Sequence, residues 1–335
     1  MLAGAEDLFQ SVKSIAYVCY RVSEAADHDA DQELQRLLRE LPGAGVTLIE
    51  LDAWERKHGR LHSLTRLADD PDIRRPRYAD LPEPGLDALT KTERYDLHAT
   101  LLLAGSAQTL ALAQGTPVAT IGYGRLAACD GTECVSSAKK ADILVEGFAE
   151  IDVQFLDRIM KRAQGLPWIT VVTRRCYLRE ITLDDLDDLY ELYAQPGITD
   201  YVEPLYDRPE EEQYTRDYIT YMYRFYGYGM WLVYDRQTDA LIGRAGFSHQ
   251  DLGDESVLEM GYIIGVPYQR QGYATEVCEK LLEFAGENLS DFGTLNCFVE
   301  PKNTASLALL RRLEFTSYGT VVISGKKMLR YQKII

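Results

Sequence analysis

Residues 261–285 read GYIIGVPYQRQGYATEVCEKLLEFA, and their order decides the fold of the second half of the chain. A β-branched run stops at Val266–Pro267, and residues 269–274 form a loop. Apolar residues then recur at helical spacing: Ala274, Val277, Cys278, Leu281, Leu282 and Ala285. The spacing predicts strand, glycine loop, helix. A helix N-terminus presents free backbone N–H groups and the positive end of the peptide dipoles, a combination that binds a pyrophosphate. Gly272 lets the backbone approach the phosphates, and small Ala274 does the same just beyond it. An ordinary turn has the same outline, so the flanking segments must decide. A dinucleotide site is excluded, because Gly-x-Gly-x-x-Gly is absent. The loop also lacks the Gly-Lys-Ser/Thr ending of a nucleoside triphosphate site.

Working outward, residues 176–178 are strand-like. Thr182, followed by Asp184 and Asp185, opens a helix with the stripe Leu186, Leu189, Tyr190 and Tyr193. A loop spans residues 195–209, and residues 210–225 form a second helix with Tyr214, Tyr218, Tyr221 and Met222 on one side. Gly227 and Gly229 then lead into strands at 230–234, 241–247 and 257–264, an antiparallel meander with the opening strand as a fourth member. After the helix comes LNCFVEPKNTASLALLRRLEF, residues 295–315.

The order strand, helix, helix, three strands, then Gln-x-x-Gly-x-Ala on a helix resembles the GNAT acetyltransferase superfamily. The later segment, with Asn303, Ser306 and the turn Leu313–Glu314–Phe315, resembles the branch that holds the ribosomal-protein N-terminal acetyltransferases. The resemblance covers nearly all of residues 172–335. It implies an α+β domain over residues 169–335 with a mixed, mainly antiparallel sheet. It also implies acetyl-CoA as co-substrate, with no metal.

On that basis the pyrophosphate is expected on the amides of Gln271, Gly272, Tyr273, Ala274 and Thr275, with Arg270 in the same loop. The pantetheine is expected along the edge at Ile264, Gly265 and Val266, as an added strand. The resemblance further implies a bulge there that aims a backbone N–H at the thioester carbonyl. Glu259, on the strand facing the acetyl group, is the candidate base; it could equally be a cross-strand surface carboxylate. Ser306 is carried over as proton donor to the thiolate, with a first-turn helix residue as its plain alternative. Asn303 could cap that helix and also bond the pantetheine. Glu203 and Asp207 in the 195–209 loop are weaker candidates for the base and better suited to holding the acceptor's cation, with Tyr201 and Tyr226 as further candidates for holding the acceptor. The wider cluster (Tyr206, Tyr221, Tyr223, Tyr228, Trp231) invites a cation–π role, against which stands a simple amphipathic core. His249 is a possible base that could equally be an ordinary surface histidine.

A boundary falls near Pro167–Trp168. Before it, strand and helix signals alternate: 15–20, 31–41, 46–51, 99–103, 108–114, 117–121, 143–145 and 152–163. That alternation predicts a parallel, doubly wound sheet over residues 1–168. Residues 101–124 and 138–152 resemble the C-terminal half of haloacid-dehalogenase-type (HAD) phosphatases. Those enzymes need an aspartate nucleophile at the end of the first strand, yet residues 15–22 contain no acid, and Ala104–Gly105–Ser106 replaces the acidic metal ligand. Lys91 could stand in for a phosphate-binding lysine, or be a solvated surface residue. Without the carboxylates the half is expected to be catalytically inactive. Cys129 and Cys134 form at most half a metal site, which nothing nearby completes.

The 335 residues carry 36 basic and 52 acidic side chains, a net charge of −16, and are 46% apolar. This charge argues against nucleic acid and would draw in basic partners. No apolar run reaches the length of a membrane span, no basic leader opens the chain, and six scattered cysteines point to reduced thiols. A cytoplasmic enzyme is expected, able to form a homo-oligomer. It would acetylate a protein N-terminus or a small cationic amine. Two alternatives stay open: a CoA-binding sensor or scaffold without turnover, and a bifunctional enzyme with a residual phosphatase half.

Overall fold

The computed structural model describes residues 15, 17–21, 28–70, 73, 96–123, 141–253 and 255–335. Lys91, Cys129 and Cys134 lie outside the described residues. The chain divides into two compact units, residues 10–166 and a second that holds residues 167–335.

The first unit runs β1 (Tyr17–Tyr20), α1 (His28–Glu40), β2 (Thr47–Glu50), α2 (Leu51–His58), β3 (Thr100–Ala104), α3 (Ala107–Ala111), β4 (Ala119–Tyr123), β5 (Ile143–Val145) and α4 (Val153–Ala163). Among the described residues its five strands are all parallel, in the order β2-β1-β3-β4-β5. Alternate side chains feed two cores. Val18, Leu101 and Leu103 pack with Leu37 and Leu156, while Tyr17, Cys19 and Leu102 pack with Trp54 and Leu64. The sheet is therefore covered on both faces. Helix α2 is absent from the sequence reading, which runs the strand through Leu51. Glu50 ends the strand by accepting bonds from the amides of Asp52 and Ala53, an N-cap that glutamate rarely provides.

The second unit runs β6 (Ile169–Val172), β7 (Cys176–Arg179), α5 (Leu186–Tyr193), α6 (Arg208–Tyr218), β8 (Met230–Asp235), β9 (Leu241–Asp251), β10 (Ser256–Ile264), α7 (Tyr273–Asn288), β11 (Thr294–Val299), α8 (Thr304–Arg312), β12 (Thr316–Ile323) and β13 (Lys326–Ile334). Its eight strands lie in the order β12-β13-β11-β10-β9-β8-β7-β6, all antiparallel except β10 with β11. The capping box of Thr182 and Asp185 starts the α5 segment as expected. Its buried stripe is Leu186, Leu189 and Leu192, with Tyr190 and Tyr193 only half-buried beside it.

The tyrosine helix departs further from expectation. After Tyr218 the backbone turns π-helical over Ile219–Tyr226. The wider turn carries the buried stripe away from Tyr221, which is 66% exposed, and onto Tyr223, which is fully buried. Tyr223 is fixed there by donating to the Met230 carbonyl at 2.6 Å and standing edge-on to Tyr218.

Candidate active site

The parallel strands β10 and β11 meet at a single pair, Glu259 with Asn296, and part beyond it. Asn296, fully buried, pins this vertex: its Nδ2 donates to the Leu258 carbonyl, and its Oδ1 accepts from Arg330 Nε at 2.8 Å and Gln332 Nε2 at 3.0 Å. Beyond the vertex the β10 backbone loses its partner on one side. The Gly265 amide bonds to Ile242 on β9, which fixes the phase of the antiparallel ladder. By alternation, the amides of Tyr262 and Ile264 face the gap. An extended amide-bearing ligand can add there as a strand.

This geometry revises the expected edge. Ile264 faces the gap, but the Gly265 amide is engaged by Ile242 and the Val266 amide by Gln195 Oε1 at 2.7 Å. Nor does a bulge occur: the β9–β10 register runs unbroken from Ser256 to Ile264. Unbroken pairing with β9 leaves the strand regular, so any oxyanion donor is an ordinary ladder amide. Tyr262, absent from the expected set, supplies the second open amide.

At the end of β10, Arg270 (φ 58°) and Gly272 (φ 84°) both lie in the left-handed region, and Gly272 occupies the N-cap of α7 without any side-chain cap. The loop therefore turns amides outward at a positive helix end. A Cβ at Gly272 would meet nothing closer than Arg175 Nη2 at 3.6 Å, so the left-handed φ, rather than crowding, requires glycine. Arg175 holds the loop in place: its Nη1 donates to the Gln271 carbonyl, its Nε to Glu276 at 2.7 Å, and its guanidinium lies 3.9 Å from the Tyr273 ring centre. The Tyr273 side chain is buried and bonds Asp235, so only its backbone serves the loop. Ala274 and Thr275 are half-buried in the first turn. An open groove of about 500 Å³ borders the loop, and Arg174, Arg175, Lys280 and Arg312 line it together with Glu279 and Glu283. Uncapped amides, flanking cations and a strand-wide gap fit an elongated, phosphorylated ligand with an amide-bearing arm.

The titratable groups divide between the two faces of the sheet. Glu259 shares a face with Asn296, and burial alone raises its carboxyl to about 7. On the other face, Tyr262 and Ser306 come together. Burial raises the Tyr262 phenol well above its usual range, and Ser306 beside it pulls the other way. The Tyr262 hydroxyl itself is buried, with no partner at full hydrogen-bonding distance. Ser306 is oriented by Asn303, whose Oδ1 accepts the Ser306 amide at 3.1 Å and caps α8. A carboxyl on one face and two hydroxyls on the other flank the parting strands.

The expected acceptor residues scatter. Glu203 pairs with Lys326 at 2.9 Å, tying the 195–209 loop to the β12–β13 hairpin, and the Tyr201 hydroxyl reaches the Lys302 carbonyl. Tyr226 leans against His249 at a tilt of 45°, with ring centres 4.6 Å apart, and the Tyr228 hydroxyl meets His249 Nε2 at 2.8 Å. His249 pairs with Leu258, the residue before Glu259, so this cluster lies on the face away from Glu259. Side-chain alternation along β10 was the signal that could have found Tyr262. Asn296 and Arg244 gave none, because their roles depend on neighbouring strands. Among the described residues, no group of three or more His, Cys, Asp or Glu is placed to hold a metal ion, and no helix is long and apolar enough to cross a membrane.

The profile of the Acetyltransferase (GNAT) domain family matches residues 175–316. An uncharacterized N-acetyltransferase, p20, of Bacillus licheniformis is 30% identical over 155 residues, which span 45% of this chain and 84% of that protein. The uncharacterized protein YkkB of Bacillus subtilis (strain 168) is 26% identical over 167 residues, 49% of this chain and 94% of that one. Among solved structures, an acetyltransferase from Agrobacterium tumefaciens str. C58 is 26% identical and covers 50% of this chain and 96% of its own, with a TM-score of 0.43. The chain belongs to the GNAT acetyltransferase family.

Proposed function

We propose that residues 169–335 form an N-acetyltransferase that moves an acetyl group from acetyl-CoA to a primary amine, on a protein N-terminus or a small molecule. The observation that carries this is Glu259: a half-buried carboxyl, raised by its desolvation to about 7, at the last paired position before β10 and β11 part. A base poised near working pH is what removal of an ammonium proton requires. Acetyl-CoA, when bound, supplies an acyl group activated on sulfur. The amides of residues 271–275 would hold its pyrophosphate, and those of Tyr262 and Ile264 its pantetheine. Glu259 accepts the acceptor's proton. As the new C–N bond forms and the C–S bond breaks, Ser306, with Tyr262 beside it, gives its hydroxyl proton to the sulfur and regains the proton that the acylated nitrogen sheds.

The test is release of free thiol from acetyl-CoA by the full chain across a panel of amines and peptides. Amine-dependent thiol release is expected; tight acetyl-CoA binding with no acetylation of any member would favour a sensor instead. Ser306→Ala should slow transfer from acetyl-CoA, and the defect should shrink with a thioester whose thiol leaves without protonation. A defect indifferent to the leaving group would reduce Ser306 to a helix-cap residue.

We further propose that the first half is a degenerate HAD-like domain without phosphatase activity. What supports this is the carboxyl end of β1, which carries Arg21 bound to Asp52 at 2.5 Å and Glu55 at 2.9 Å where a nucleophilic acid would be needed. The Arg21 guanidinium holds the Glu55 carboxyl below its ordinary range, so Glu55 is a fixed counter-ion. Phosphate monoesters incubated with the chain and Mg²⁺ should release no phosphate above a buffer blank. Mg²⁺-dependent release that Arg21→Ala or Asp52→Asn abolishes would restore the bifunctional alternative.

A further inference from the structure

On the Glu259 face of the sheet, three rows cross β9 and β10: Arg244 with Ile263, Gly246 with Gly261, and Ser248 with Glu259. Met230 on β8 continues the middle row. Two adjacent glycines thus contribute no side chain to the floor between Arg244 and Glu259, about 13 Å apart along the strand at some 3.3 Å per residue, and only the flexible end of Met230 lies over it. The two glycines differ in what demands them. A Cβ on Gly246 would strike the Gly229 carbonyl at 2.1 Å, so packing requires it. At Gly261 a Cβ would touch only the flexible end of Met230 at 3.5 Å, and its φ is not left-handed. Neither backbone nor packing calls for glycine there, although glycine within a strand is destabilising.

Arg244, at the edge of this floor, is the second anomaly. Its Nε is buried without a hydrogen-bond partner, and its other donors meet only phenols, Nη1 reaching the Tyr193 hydroxyl at 3.4 Å with the Tyr218 hydroxyl nearby. No carboxylate lies within salt-bridge distance of it among the described residues. Its surroundings are phenols: the Tyr218 ring centre is 5.8 Å away, and the Tyr218 hydroxyl sits on the Met230 amide at the end of the glycine row. Burial opposes the charge, while the oxygens of Tyr193, Tyr218 and Tyr223 sustain it. A half-buried guanidinium with five donors, its Nε shut off from water and its partners all neutral, is costly unless an anion meets it.

We propose that Arg244 binds a carboxylate of the acetyl acceptor, so that the acceptor is a small amino acid lying across Gly261 with its amine toward Glu259. This rests on acetyl transfer to an amine as proposed above. A planar carboxylate can take two guanidinium donors at once. Arg244 is the cation that acts on Tyr214, Tyr218 and Tyr223, and one positive charge ringed by phenols suits a monoanion better than a phosphate dianion.

The test is calorimetry on the full chain with CoA present, titrating N-acetyl amino acids with amines from the α to the ε position and, in parallel, their amides. At least one acid should bind ten or more times tighter than its amide. Arg244→Met should abolish that preference, Arg244→Lys should keep part of it, and Gly261→Val should weaken acid and amide alike with CoA affinity unchanged. No acid binding better than its amide would overturn the proposal without recourse to any variant, as would a preference that survives in folded Arg244→Met. Thiol release separates the two readings. Transfer to simple amines with no preference for a carboxylate sinks the acceptor class and leaves the acetyltransferase standing. Arg244-dependent binding of an acid with no transfer to any amine does the reverse to the activity and keeps the anion site.

Discussion

Glu259→Gln should lower kcat by about 10²–10⁴-fold near pH 7–8 with little change in acetyl-CoA affinity, the usual worth of general acid–base assistance. The pH dependence carries the sharper signature. Burial raises the Glu259 carboxyl to about 7, so its basic form appears only as pH rises through that value. The wild-type rate should therefore climb through an inflection near pH 7 that the glutamine variant lacks. At higher pH, where the medium itself deprotonates the amine, the gap should narrow. Stability should move the opposite way. A carboxyl whose pKa is raised on folding keeps its proton in the folded chain between about 4.5 and 7, so wild-type stability falls as pH rises through that window. Glu259→Gln escapes this loss and should melt above the wild type at pH 8, by about 1–3 kcal/mol. A mutant with the wild-type inflection would move the base elsewhere or to water. One that melts like the wild type at pH 8 would mean that Glu259 is less buried than described.

Gly272→Glu should weaken acetyl-CoA binding by about 10–100-fold, or roughly 1.4–2.7 kcal/mol. Two causes combine. A side chain at φ 84° strains the backbone that aims the loop amides, and a carboxylate there offers Arg175 a second anion to hold. Gly272→Ala carries the strain without the charge and should lose less. Since the Cβ itself has room, the variant should fold, which circular dichroism and a melting curve would verify. Unchanged acetyl-CoA affinity by calorimetry in a folded Gly272→Glu protein would misplace the pyrophosphate loop.

Several features of this chain depend on local rules and were legible in its residues. The helical repeat from Val277 to Ala285, the glycine at the start of α7 and the Thr182 and Asp184–Asp185 helix start each act within a few positions. The alternation of strand and helix before residue 166 belongs here too, since a parallel crossover needs that order. The Asn303 cap on the Ser306 amide is of the same kind, three residues apart and fixed by helix geometry.

Tertiary structure decided what depends on partners distant in sequence. Whether Gly265 and Val266 could offer amides was settled by Ile242 and by Gln195, which lies 71 residues before Val266. How far Glu259 is withdrawn from solvent was decided by its place beside β11, which leaves it half-buried and lifts its pKa. The tyrosine stripe failed as a prediction because a helical wheel assumes 3.6 residues per turn, and the π-helical turn after Tyr218 exchanged Tyr221 for Tyr223. Tyr226 and Glu259 ended on opposite faces because a one-residue offset in a strand reverses the side-chain direction. Sequence by itself determined most of the elements, those set by neighbours along the chain, but not α2 or the π-helical turn after Tyr218. The site was decided by register and burial, which exist only once strands far apart in sequence lie side by side.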